Sequence, residues 1–254
     1  MPYRIGLVVP SSNTTMETEI PELLRRRAEV EPEEFTVHSS RVRLQQVTKE
    51  ELTEMVRGSD RCALELSDAG VDVIAYACLV AIMSQGPGFH VESERRLAAV
   101  AAENGSPAPI VSSAGALVRS IHALGFERIA VVAPYMKPLT KLVVDYIEHA
   151  GIEVVDAVSL EIPRNSDVGR HDPMLLPGIA RRLNLANAQA VVLSACVQMP
   201  SLPAIQVAED ELGLPVLSAG VATTYEILER LGLRPVAPRA GALLSGALPV
   251  GAST

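Results

Sequence analysis

The sequence predicts an α/β protein built from two similar half-domains, each a four-stranded parallel sheet with its helices, related by a pseudo-two-fold axis. Three observations lead to this prediction. Short apolar segments alternate with helical segments, most apolar segments are continuous, and their order repeats in the second half of the chain. Continuous apolar segments are typical of parallel strands that helices cover on both faces. The length of 254 residues suits two such halves.

Eight apolar segments are predicted as strands, and the segments between them favour helices. One helix is predicted from Thr48, because Thr48 and Glu51 have the spacing of an N-terminal capping box. Another is predicted at 138–150, where apolar residues recur at helical spacing and Gly151 follows as a stop signal. The predicted strands are 4–10, 35–42, 71–77, 108–112, 128–134, 152–158, 188–195 and 215–218.

The second half of the sequence weakly repeats the first. Two related halves of this size usually pack about a pseudo-two-fold axis with a cleft between them, and we expect the active site there. The predicted division is residues 1–115, with allowance for a return of the C-terminal segment, then residues 116–238, then a tail at 239–254 that is rich in small residues. The matching pairs are RIGLVVP (4–10) with RIAVVAP (128–134), VDVIAYAC (71–78) with QAVVLSAC (189–196), and SSAG (112–115) with LSAG (217–220).

Composition argues against several classes of partner. The 22 basic residues against 30 acidic ones give a net charge of −8, so no basic excess exists to neutralise nucleic acid. The longest apolar run, at 73–83, is too short to span a bilayer, and the N-terminal segment lacks the features of a signal peptide. Three cysteines are too few for a disulfide framework. We therefore expect a cytoplasmic protein, and the surplus of apolar helical faces favours a homodimer or larger homo-oligomer.

Two cysteines are the strongest chemical signal. Cys78 and Cys196 each directly follow an alanine at the end of a buried strand, and they occupy the same place in the repeat. Ligands of open parallel sheets bind beyond the carboxyl ends of the strands. A single buried cysteine is usually inert, but a pair at equivalent strand ends predicts two thiols facing one ligand. Cys62 lies on the apolar stripe of a predicted helix and is expected in the core.

A thiol needs help to react, because the thiolate is the nucleophile. Neither cysteine has His, Lys or Arg close by in the sequence. Backbone N–H groups at the turns that follow the two strands, with helix N-termini behind them, could stabilise a thiolate and also bind a carboxylate.

Three further side chains follow strand ends and can donate hydrogen bonds without adding charge. Asn13 and Tyr135 follow the first strand of each half, and Asn165 follows the sixth strand. Structural interpretations stay open for each: Asn13 as a helix cap, Tyr135 as packing and Asn165 as an ordinary loop residue. Thr14 and Glu17 offer an alternative cap, which would free Asn13 for ligand binding.

No metal or nucleotide cofactor is expected. The five histidines show no metal-ligand spacing, and the sequence contains neither GxGxxG nor a P-loop lysine. The Gly-Pro-Gly segment at 86–88 is a candidate lid over the site.

The residues around both cysteines resemble the maleate cis-trans isomerases, within the aspartate/glutamate racemase superfamily. That resemblance implies a cofactor-independent isomerisation of maleate to fumarate in a fold of two similar halves. It runs nearly end to end, and its clearest stretches are VVPSSNTTME (8–17), YACLVAIM (76–83), APYMKPLT (133–140), IPRNSDVGR (162–170) and SACVQMPSL (194–202).

The resemblance also implies a role for each site residue. Cys78 would add to the double bond as the nucleophile, and Cys196 would act as the acid and base. A succinyl-cysteine intermediate would then rotate about its C2–C3 bond. The implied substrate-binding residues are Asn13, Tyr135 and Asn165 through their side chains, with Cys78, and Leu79, Val80, Val197 and Gln198 through their backbone amides.

Other functions compete with this interpretation. A two-cysteine amino-acid racemase would need an acidic partner for the substrate ammonium group, and Asp167 is the nearest candidate. An arylmalonate decarboxylase needs only one of the two cysteines. A non-catalytic module that binds small dicarboxylates would not require two cysteines, and alkylation would leave its binding largely intact.

Overall fold

Each half of the chain contains one sheet of four parallel strands. The computed structural model describes residues 1–247. Its strands are β1 Tyr3–Pro10, β2 Phe35–Val42, β3 Val73–Tyr76, β4 Ile110–Ser112, β5 Arg128–Ala133, β6 Glu153–Ser159, β7 Ala190–Ser194 and β8 Val216–Ser218. The sheet orders are β2-β1-β3-β4 and β6-β5-β7-β8, all parallel. The same order in both sheets confirms the predicted fold class.

Helices connect the strands and cover the sheets. Short 3-10 helices lie at Pro173–Leu175 and Ala242–Leu244. None of the helices within residues 1–247 is both long and apolar enough to cross a membrane. The α-helices are α1 Met16–Arg27, α2 Lys49–Asp68, α3 Leu79–Met83, α4 Phe89–Glu103, α5 Ser113–Ala123, α6 Lys137–His149, α7 Asn165–Val168, α8 Leu176–Ala180, α9 Leu202–Leu212 and α10 Ala219–Arg230.

Local signals set two of the helix ends. The Thr48 hydroxyl accepts a hydrogen bond from Glu51 N (3.3 Å), as the capping motif predicts. The Glu51 carboxylate does not return to Thr48 but accepts from the backbone N–H groups of Gln45 and Gln46 (2.6 and 2.7 Å), which ties the preceding loop to α2. Helix α6 stops before Gly151, whose φ of 83° is a conformation that suits glycine.

The central strands form the core of each half. Strands β3 and β7 are buried along their whole length, whereas the edge strands β2 and β6 are partly exposed. Cys62 is buried within α2, as predicted. Because β3 and β7 are covered on both faces, the residues directly after their carboxyl ends start in the interior of the protein.

The two halves meet through equivalent helices. Helices α5 and α10 pack together, and α10 also contacts β3 and β4 of the first sheet. The hydroxyls of Ser113 and Thr223 lie 2.9 Å apart at this junction. The predicted boundary between residues 115 and 116 lies inside α5, and the division into 1–115 and 116–238 stays a prediction.

The predicted tail at 239–254 is only partly described. Leu243 and Leu244 in its first part are buried, and the Ala242 N–H donates to the Glu209 carboxylate (2.9 Å). These contacts hold the start of the segment against the second half. Residues 248–254 of the predicted tail lie outside the described residues.

Candidate active site

One cavity lies between the two halves, and side chains from both line it. The space between its lining atoms amounts to about 320 Å³. All nine residues predicted for the site line this cavity: Asn13, Cys78, Leu79, Val80, Tyr135, Asn165, Cys196, Val197 and Gln198. The structure thus brings the predicted set together, and the role of each member stays a prediction.

The ends of the central strands position the site. Cys78 and Cys196 each lie two residues beyond their strands, β3 and β7, and Tyr135 lies two residues beyond β5. Asn13 follows β1 in the turn before α1. Because the two sheets share one strand order, these four ends occupy corresponding places on opposite walls of the cavity.

Burial keeps the first thiol protonated at neutral pH. Burial raises the pKa of Cys78 to about 12, only partly opposed by a hydrogen bond from the Ala81 N–H, and a negative charge on Cys196 would raise it further. Among the described residues that line the cavity, none carries a cationic side chain. Ionisation of Cys78 therefore needs proton transfer within the site rather than a neighbouring positive charge.

The second thiol has more hydrogen-bond donors around it. Burial raises the pKa of Cys196, but the Tyr135 hydroxyl and the N–H groups of Gln198 and Met199 lower it. Gln198 N lies 3.3 Å from Cys196 Sγ. Burial raises the pKa of Tyr135 well above its usual value, so its phenol stays a hydrogen-bond donor. Negative charge is thus stabilised better at Cys196 than at Cys78.

We expect the substrate-free protein to react slowly with iodoacetamide at Cys78. With a pKa of about 12, the thiolate is a minor species, so alkylation should accelerate about tenfold per pH unit between pH 7 and 10. Mass spectrometry of the Cys78 peptide measures this rate. In urea-unfolded protein, the control, the rate should level off near the ordinary cysteine pKa of about 8.5. A plateau near that pH in the folded protein would contradict the expectation.

Asn13 caps a helix and also lines the cavity. Its Oδ1 accepts from the N–H groups of Thr15 (2.9 Å) and Met16 (3.0 Å) and so caps α1, and its Nδ2 donates to Val197 O (3.1 Å). The expectation that Thr14 and Glu17 cap the helix and free Asn13 is wrong, because the Asn13 oxygen itself accepts from these N–H groups. Capping directs the Asn13 N–H groups toward the second half and the cavity.

Four apolar residues complete the cavity, and the sequence interpretation missed them. Pro10 is the last residue of β1 and Leu52 lies in the first turn of α2. Leu44 and Val47 belong to the loop at 43–48, here called the cover loop. The cover loop follows the carboxyl end of β2, and this position after a strand was the one sequence signal that could have placed it at the site. The candidate lid at 86–88 does not line this cavity, since Gly86 and Pro87 line a separate groove beside α6, and its role as a lid stays a prediction.

The loop that carries Cys196 is held by the opposite half. The side-chain amide of Gln198 accepts from Thr14 N (3.0 Å) and donates to Ser12 O (3.0 Å) and Asn165 O (3.1 Å). Thr15 Oγ1 donates to Gln198 O (2.7 Å). These bonds fix the cysteine loop against the β1–α1 turn, so the two walls of the site are aligned in the folded state.

A buried carboxylate holds the far end of the same loop. Glu19 of α1 accepts hydrogen bonds from the N–H groups of Ser201 (2.6 Å) and Leu202 (2.7 Å) at the start of α9. Burial raises the pKa of Glu19, and these two donors oppose that shift. The carboxylate therefore satisfies two buried N–H groups that would otherwise lack a partner.

Glu19→Ala is expected to lower the free energy of unfolding by about 2–4 kcal/mol, because it leaves two buried N–H donors without an acceptor. Urea denaturation followed by circular dichroism measures the change. The matched control is Glu22→Ala on the same helix, whose carboxylate pairs with Arg25 and Arg26 near the surface and should cost less than about 1 kcal/mol. Equal losses in the two variants would contradict the assignment of Glu19 to the loop.

The chain matches the family model described as arylmalonate decarboxylase over residues 5–244, and it belongs to that family. A maleate isomerase of Geobacillus stearothermophilus is 63% identical over 96% of this chain and 98% of the relative. The predicted resemblance to the maleate cis-trans isomerases is thereby confirmed.

Two solved structures add chemical detail about relatives. A crystal structure of a Pseudomonas putida maleate isomerase, a cysteine-to-alanine variant with maleate, has a TM-score of 0.96 and 58% identity, covering 98% of this chain and 99% of that one. A cysteine-to-serine variant of the Nocardia farcinica maleate cis-trans isomerase carries a covalently bound succinylcysteine intermediate. Its TM-score is 0.93 with 47% identity, covering 96% of this chain and 98% of that one.

Proposed function

We propose that this protein isomerises maleate to fumarate without a cofactor. The observation that carries the proposal is the pair of thiols, Cys78 and Cys196, in one small cavity lined by neutral hydrogen-bond donors. The relative solved with maleate and the relative solved with a succinylcysteine intermediate support the same substrate and a covalent route.

The first step removes the barrier to rotation. In the reactive form the two thiols share one proton, which Cys78 passes to Cys196 before its sulfur reacts. The Cys78 thiolate then adds to one alkene carbon of maleate, so a C–S bond forms and the π electrons move toward the far carboxylate. Cys196 gives its proton to the neighbouring carbon, which yields a succinyl-cysteine and leaves Cys196 as the thiolate. That thiolate is supported by the Tyr135 hydroxyl and the Gln198 N–H.

The second half of the reaction reverses the first in the rotated geometry. Rotation about C2–C3 carries one carboxylate to the trans position. The Cys196 thiolate then takes the proton back from carbon, the double bond re-forms, and the Cys78 thiolate leaves. The two thiols end in their starting protonation states, so the cycle needs no oxidant, reductant or added proton.

Uncharged hydrogen-bond donors are suited to binding the two carboxylates of the substrate. We assign this task to the side chains of Asn13, Tyr135 and Asn165, and to the backbone N–H groups that follow each cysteine: Leu79 and Val80, Val197 and Gln198. Hydrogen bonds to the developing negative charge lower the barrier when the donors are already in place. Neutral donors also let one carboxylate move while the other stays bound.

An amino-acid racemase is less well supported. No acidic side chain lines the described part of the cavity, so the ammonium group of an amino acid would lack a partner. Asp167, the candidate from sequence, forms ion pairs with Arg164 and Arg170 instead.

Proton NMR of the purified protein with maleate and no added cofactor tests the proposal. The expected result is loss of the maleate signal with growth of fumarate. Unchanged maleate would overturn the proposal, and loss of optical rotation with aspartate or glutamate would indicate the racemase. In D₂O, deuterium in fumarate or recovered maleate would support a protonated intermediate, although return of a shielded proton would leave no label.

We also propose that the protein works in the cytoplasm as a homodimer or larger homo-oligomer. The reaction needs Cys78 and Cys196 as free thiols, which a reducing compartment maintains. Exposed apolar side chains such as Val91 and Leu175 offer surface for a second copy. Analytical ultracentrifugation tests the oligomeric state, and a monomer at micromolar concentration would contradict that part.

A further inference from the structure

Ser12 connects the cover loop to one of the proposed carboxylate-binding amides. Its Oγ lies 2.5 Å from the backbone carbonyl of Leu44 in the cover loop. Asn165 Nδ2, from the other half of the protein, lies 2.7 Å from the same Oγ. Ser12 O also accepts from Gln198 Nε2, so the backbone at Ser12 is itself held in place.

The direction of these hydrogen bonds follows from the chemistry of the groups. A carbonyl oxygen can only accept, so the single hydroxyl hydrogen of Ser12 goes to Leu44 O. The Ser12 oxygen is then left as an acceptor, and Asn165 must present Nδ2 to it rather than Oδ1. The orientation of an amide is set by such a network, because its oxygen and nitrogen ends have nearly the same shape.

We propose that Ser12 is a positioning residue for the substrate: its hydroxyl, bonded to the cover loop, orients the Asn165 amide as a hydrogen-bond donor. The proposal rests on the proposed function, in which Asn165 binds a carboxylate. Without the Ser12 hydroxyl the Asn165 amide loses the acceptor that fixes its Nδ2 end, and a turned amide presents its oxygen to the anion. One hydroxyl group thus connects the position of the cover loop with the orientation of the carboxylate-binding amide.

A neighbouring serine provides the matched control. Ser11 Oγ accepts from Leu44 N (3.1 Å) and so also holds the cover loop, but the Asn165 amide is bonded to Ser12. Ser12→Ala should raise KM for maleate about tenfold or more while kcat changes less. Ser11→Ala should raise KM less than threefold. Equal increases in KM from the two substitutions would overturn the proposal, because both increases would then result from lost contacts to the cover loop.

A double-mutant cycle tests whether Ser12 acts on substrate binding through Asn165 or weakens binding independently of it. In an Asn165→Ala background, Ser12→Ala should change KM less than threefold, because the amide that it orients is gone. Full additivity of the two changes would overturn the proposal. If Ser12→Ala does not fold, Ser12→Cys replaces it, since it keeps the volume and weakens both hydrogen bonds. Wild-type protein that leaves maleate unchanged would refute the proposed function instead, so the two failures are distinguishable.

Discussion

Cys78→Ala is expected to abolish fumarate formation, with kcat falling roughly 10³-fold or more. Without a sulfur at this position no bond can form to the alkene carbon, and the C=C double bond of maleate keeps its barrier to rotation. Proton NMR with maleate measures the loss directly. The substitution removes one sulfur atom from a cavity wall, so we expect the fold and the binding of a dicarboxylate to survive.

Cys62→Ala is the matched control for this prediction. Cys62 is buried in α2 and does not line the cavity, so its removal should affect stability more than turnover. Near wild-type activity of Cys78→Ala would refute the assignment of the nucleophile. Equal loss of activity in both variants, with both folded, would trace the effect to packing rather than to chemistry.

Cys196→Ser is expected to slow turnover by roughly 10²–10⁴-fold, the usual size of an acid–base contribution, while an adduct builds up at Cys78. Elimination from the succinyl-cysteine needs a base that removes a proton from carbon. A serine hydroxyl is a far weaker base than a thiolate held by Tyr135 and the Gln198 N–H. Intact-mass spectrometry after exposure to maleate should show a gain of one substrate mass.

The double variant Cys78→Ala with Cys196→Ser gives the control for the adduct. It should gain no mass, because the adduct requires the Cys78 sulfur. An adduct that persists in the double variant, or one located on Cys62, would contradict the proposed order of events. Normal turnover by Cys196→Ser would remove Cys196 from the acid–base role.

Much of the candidate site could be predicted because parallel sheets place their functional residues in a regular way. The apolar strands and their repeat located the carboxyl ends of β3 and β7, and with them Cys78 and Cys196. The donors Asn13 and Tyr135 followed from the same rule for β1 and β5. Family resemblance added the backbone donors after each cysteine. All these residues lie within a few positions of a strand end, so local sequence carries the signal.

The cover loop and the bonds across the cavity could not be predicted in this way. Leu44 and Val47 look like ordinary apolar loop residues, and nothing near Gly86 indicates that its turn faces another groove. Ser12 meets Asn165 across 153 positions of sequence, and Glu19 meets Leu202 across 183. Such pairs form only when the two halves pack against each other, and no local sequence pattern around either residue predicts its partner.

The sequence by itself determined the class of fold, the repeat and the places of Cys78 and Cys196, because local apolar patterns show where buried strands lie and where they end. The tertiary structure decided the rest. It set the pKa of Cys78 through burial, gave Cys196 the better hydrogen-bond donors, and turned the amides of Asn13 and Asn165 toward their partners. Those properties depend on desolvation and on contacts between distant segments, and both exist only after the halves have packed.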